Sequence, residues 1–120
     1  MTRQRSFTKY EHKVLPNFRQ QISKAESTED VKKFFVYTAR ELFEEISEGN
    51  LDVEYEDIAL NPHGAPQYTV SGRLLSNEDF VSVWKDSDLP DVVSRLADSA
   101  MSRYKHLEKH PEKTSAKIRM

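Results

Sequence analysis

The chain has 120 residues and a mass of 14.0 kDa, the size of one ordinary domain. Hydrophobic residues at 37% and a formal net charge of -2 permit a compact fold, while 32% charged residues, against a usual figure of about 25%, leave a modest core under a heavily charged surface. Lack of cysteine excludes disulfides, thiolate metal sites and a cysteine nucleophile; no apolar run approaches the roughly 20 residues of a membrane span, so a cytoplasmic chain without a membrane partner is expected.

Thr8-Lys9-Tyr10-Glu11 has the spacing of a capping box and marks a first helix, with Phe7 placed to staple onto its opening turns. Tyr10, Val14, Phe18 and Ile22 continue it at intervals of four, but Pro16 lacks an N–H and crowds the preceding turn, which predicts a kink or a restart. Ser27-Thr28-Glu29-Asp30 opens a second helix running to about Glu48. Val31, Phe35, Thr38, Ala39, Leu42, Phe43 and Ile46 share one sector of it, from which Glu41, Glu44, Glu48 and Tyr37 point away. Gly49-Asn50 closes it.

Leu51, Val53 and Tyr55 alternate with Asp52, Glu54 and Glu56 as a half-buried strand does, and the parity changes at Ile58 and Leu60, so the strand ends near Glu56 or bulges at Asp57. Asn61-Pro62-His63-Gly64-Ala65-Pro66 is the strongest turn signal, and a return strand is expected over 67–75 through Tyr68, Val70 and Leu74. Ser76-Asn77-Glu78-Asp79 opens a short helix carrying Phe80, Val83 and Trp84. Asp88-Leu89-Pro90-Asp91 starts a last one, whose stripe from Val93 to Leu107 stops before Pro111. The order α-α-β-β-α-α predicts a mostly helical α+β fold, a single domain over 1–111 with one hairpin covered by helices, and a mobile basic tail over 112–120. A homodimer through strand 67–75 or the helix faces is an alternative way to cover the hairpin.

Charge falls into three blocks: +5 over residues 1–24, -11 over 25–100 and +4 over 101–120. Residues 41–57 hold eight acids and no Lys or Arg. Three uses fit such segregation. The leading one is a non-catalytic adaptor or regulatory domain that binds a protein partner through an acidic surface formed by Glu41, Glu44, Glu48, Tyr37, Glu54 and Glu56. The second is sequence-independent nucleic-acid binding through Arg3, Arg5, Lys9, Lys13, Arg19, Arg103, Lys105, Lys109, Lys113 and Lys117. In the third, the basic ends neutralise the acidic middle.

Enzyme chemistry finds little footing. Gly49, Gly64 and Gly72 are too widely spaced to cradle a phosphate, and no serine sits in a glycine-flanked elbow. His106 and His110 are four apart on the last helix and could face one metal ion. Leu107 stands where a metalloprotease helix carries Glu, no third ligand is evident, and no cofactor is expected. His63, in its proline-bounded turn, is the first residue to inspect if the chain holds a small ligand.

Overall fold

A computed structural model describes residues 6–109. Helix α1 spans Thr8–Ser23 and its N-cap residue, Phe7, has no side-chain acceptor to offer. The Thr8–Glu11 capping box is not made, because Asp88, far along the chain, takes its place: its carboxylate accepts from the Phe7 backbone N–H at 2.7 Å and the Ser6 hydroxyl at 2.9 Å. Glu11 turns inward instead, is 5% exposed, and is gripped by both arms of Arg95 at 2.8 and 2.9 Å. Pro16 does not interrupt the helix. It sits with His12, whose carbonyl it deprives of a helical partner, on the exposed face.

Helix α2 covers Thr28–Ser47, capped by Ser27, whose hydroxyl accepts from the Asp30 N–H at 3.1 Å. It ends on two successive positive-φ residues, Glu48 at 55° and Gly49 at 82°. The strand expected over 51–56 is absent: the segment leads into a 3-10 turn, Tyr55–Asp57, and the ladder begins only afterwards, with β1 at Ile58–Leu60. Asp57 causes the shift. Only 4% exposed, it accepts from the Glu54 N–H at 2.7 Å and the Ser71 hydroxyl at 2.6 Å, bending the chain where extension would have continued. Strand β2, Tyr68–Val70, pairs antiparallel with β1 in the register Ile58 to Val70 and Leu60 to Tyr68. The return strand is shorter than expected because Ser71 caps a helical turn, α3, at Gly72–Leu75.

Asn77 then caps α4, Glu78–Lys85, accepting from the Phe80 N–H at 3.0 Å. The last helix, α5, spans Leu89–Lys109 with Pro90 in its first turn, where a missing N–H costs nothing. Helices α1 and α5 lie side by side in the same direction, since Phe7 meets Asp88, Glu11 meets Arg95 and the Ala25 carbonyl accepts from Arg103 at 2.9 Å. Helix α2 runs against both, its Lys32 ammonium 5.9 Å over the Tyr104 ring. Phe18, Phe35, Leu42, Val92, Val93 and Leu96 fill the space between the three. Phe43, Phe80, Trp84 and Tyr68 join the hairpin and α4 to this bundle through ring contacts of 5.3 to 6.4 Å. The fold is thus the mostly helical α+β domain expected, its hairpin flanked by two helices before and three after. The proposed tail, residues 112–120, lies outside the described residues. No helix among the described residues is long and apolar enough to cross a membrane.

Candidate functional site

Three places on the surface combine charge, aromatic rings or a cavity. The first is the outer face of α2 with the segment that follows it. Tyr37, Glu41, Glu44 and Glu48 recur at helical spacing on the face turned from the core, and all are exposed. Tyr55, brought up by the 3-10 turn, meets Tyr37 edge to face with ring centroids 5.9 Å apart. The two rings are 46% and 44% exposed, and with Leu75 they are the large exposed hydrophobic residues among the described ones. Glu54 and Glu56 flank Tyr55 and are also exposed.

The segment bearing Tyr55 is held by two arginines. Arg40 donates to the Val53 carbonyl at 3.0 Å, and Arg73 donates to the Asp52 carbonyl at 2.7 Å and to both oxygens of Asp57. The Arg73 guanidinium holds the Asp57 carboxyl down at about 2, against an ordinary 3.8, with help from the Ser71 hydroxyl and the Glu54 N–H and against the effect of burial. Glu45 is neutralised by Lys13 from α1, whose ammonium is raised by that contact and, to a smaller degree, by the nearby Glu41. Of the eight acids in 41–57, Asp57 and Glu45 are therefore committed internally. Glu41, Glu44, Glu48, Asp52, Glu54 and Glu56 form no ion pair with a described base.

The second place is a groove of about 400 Å³ between the later turns of α1 and α5, lined by Arg19, Ile22, Ser23, Ser99, Ser102, Arg103 and His106. It unites two residues of the basic blocks, Arg19 and Arg103, that the sequence separates by most of its length. The other basic candidates are scattered: Lys9 reaches over the Tyr10 ring at 5.9 Å, Lys13 is bound to Glu45, and Lys105 and Lys109 stand exposed on α5. Arg3, Arg5, Lys113, Lys117 and His110 lie outside the described residues. Among the described residues no three His, Cys, Asp or Glu side chains group as a metal site.

The third is a cleft of about 220 Å³ at the C-terminal end of α2, walled by Phe43, Ile46, Leu51, Phe80, Val83 and Leu89, with Ser47, Asn50, Asn77 and Asp79 also lining it. It is smaller than the roughly 300–1,000 Å³ of most small-molecule sites. His63 is exposed in its turn and lines neither cavity.

Sequence reasoning placed Tyr37 and the α2 glutamates correctly on the surface and missed Tyr55, whose alternation with Glu54 and Glu56 read as an inward strand position. It also missed Ser99 and Ser102. Their spacing with Arg103 and His106 along one side of α5 was the available signal. Comparison with protein-family models, with curated proteins and with solved structures finds no match to this chain.

Proposed function

We propose that the protein is a non-catalytic docking domain that binds a basic, arginine-containing segment of another protein through the face formed by Tyr37, Tyr55, Glu41, Glu44, Glu48, Glu54 and Glu56. The observation that carries this reading is the exposed Tyr37–Tyr55 pair, 5.9 Å between centroids, set among carboxylates that no described base neutralises. Exposed tyrosines supply rigid contact area and a π face for a guanidinium, and the surrounding carboxylates favour cations over any other partner.

The helix itself adds weight. Besides Glu45, which Lys13 neutralises, the end of α2 carries Glu44 and Glu48 and no base, the wrong sign for the negative end of a helix dipole. Local rules broken without a compensating contact tend to mark positions kept for binding rather than for folding.

The test is fluorescence anisotropy with a labelled arginine-rich peptide, a lysine-rich peptide of equal charge and an acidic control. Both basic peptides should bind at low salt, the arginine peptide more tightly. Combined Glu41→Lys, Glu44→Lys and Glu48→Lys replacement should abolish both interactions without unfolding the domain, while Tyr37→Ala should erase the preference for arginine. Failure of either basic peptide to bind at low salt, or binding untouched by charge reversal, rejects the reading.

A further inference from the structure

We infer that the groove between α1 and α5 binds a single phosphoryl group, as free phosphate or as the phosphate ester of a small molecule, through the guanidinium groups of Arg19 and Arg103. The groove presents two arginines, the imidazole of His106 and the hydroxyls of Ser99 and Ser102, with Ile22 as its apolar contact and no carboxylate in its lining; the Ser23 hydroxyl, also at its edge, donates to the Gln20 carbonyl at 2.9 Å. Two planar forks with hydroxyl donors match the geometry and charge of a tetrahedral dianion better than those of a carboxylate or a neutral ligand.

The state of the arginines sets this place apart. Arg73 and Arg95 are each bound to a carboxylate of the protein. Arg19 and Arg103 form no ion pair with a described carboxylate. Arg103 spends one arm on the Ala25 carbonyl, which fixes its head in the groove wall, and its Nε–H is buried without an acceptor among the described residues. A buried guanidinium N–H left unmatched is expensive, and a shift of the Arg103 side chain onto a bound oxyanion would relieve it.

Two plainer readings explain less. The negative ends of α1 and α5 both lie at this end of the bundle and favour nearby cations, but that preference is satisfied by exposed side chains and calls for neither an unmatched buried Nε–H nor the two serines of α5. A nucleic-acid track would need further free cations along the helices. Lys13 is tied to Glu45 and Arg95 to Glu11, and the exposed Lys24, Lys105 and Lys109 lie outside the groove lining, so the groove itself offers one phosphate position rather than a series.

Isothermal titration calorimetry with inorganic phosphate and with phenyl phosphate tests the site and separates its two sources, since an ester that binds more tightly than the free ion assigns the groove to phosphorylated small molecules and the reverse assigns it to phosphate. One ligand per chain is expected. Arg19→Ala should weaken binding by about tenfold or more. Arg19 is exposed, so its removal leaves the packing intact, and circular dichroism verifies the fold. Arg103→Lys should weaken binding too, because an ammonium keeps the charge and loses the fork. Absence of binding by either compound at millimolar concentration, or an Arg19→Ala protein that binds as the parent does, overturns the proposal. So does mixed-sequence RNA that binds more tightly than phenyl phosphate, loses affinity in Arg19→Ala and shows the steep salt dependence of a polyanion.

Discussion

Asp57 controls how the acidic face is displayed. A carboxylate there satisfies a backbone N–H, a hydroxyl and a guanidinium at once, and so turns the chain that carries Tyr55 outward. Its folded pKa of about 2 lies below the ordinary 3.8, so the stability it contributes is complete above about pH 4 and lost as the pH falls towards 2. Asp57→Asn should destabilise the domain by about 1–3 kcal/mol at pH 7, since it removes the charge from a pair whose carboxylate is buried and whose guanidinium is half exposed. The gap between parent and variant should narrow steadily in denaturant titrations between pH 4 and pH 2, and a gap independent of pH would deny Asp57 this role. No periodicity in the sequence announces such a residue. Asp57 read as one more member of an acidic run because its partners, Ser71 and Arg73, come after an intervening turn. Asp88 is the corresponding case at the head of α1: burial raises its carboxyl, but the bonds from Phe7, Ser6 and Thr8 outweigh it and hold the group low.

Helices were legible where side chains two to four residues apart settle the matter, as with Ser27 and Asp30, Asn77 and Phe80, and the apolar stripes of α2 and α5. The hairpin was legible as a hairpin and misplaced in its first strand, because alternation at Leu51, Val53 and Tyr55 is as compatible with an irregular segment pinned by Arg40 and Arg73 as with a ladder. The end of α2 was foreseen at Gly49-Asn50, though not the left-handed backbone of Glu48 before it. Glu48→Asn places a residue that tolerates this conformation there and removes a negative charge from the negative end of the dipole. It should therefore stabilise the domain by about 0.5–1 kcal/mol and, by the proposed function, weaken binding of the arginine peptide. Thermal unfolding and anisotropy on the same preparation decide it. A variant that loses both stability and binding would mean that Glu48 has a structural partner.

At the scale of the whole molecule, the parallel pairing of α1 with α5 decides which distant residues become neighbours. It could not be read from the sequence, where the two helices stand at opposite ends of the described chain, and it explains why Arg19 and Arg103 meet while their separate stretches looked like unrelated basic blocks. Glu11 and Arg95 are the middle tie. Glu11 is buried and the Arg95 side chain is half exposed, so the pair lies between a solvated and a buried bridge. Glu11→Ala and Arg95→Ala should each cost about 1–3 kcal/mol, and the double variant should cost less than their sum. Additive losses in urea titrations would mean that the two residues act separately.

Order of synthesis gives the same arrangement another meaning. When α1 and α2 have left the ribosome they can pair as an antiparallel hairpin, yet the N-terminus of α1 lacks its cap and Glu11 its counterion until residues 88–95 follow. The early half must either wait with a carboxylate facing a partly built core or stay loosely docked. The native bundle can lock only when α5 arrives to fill the space between them.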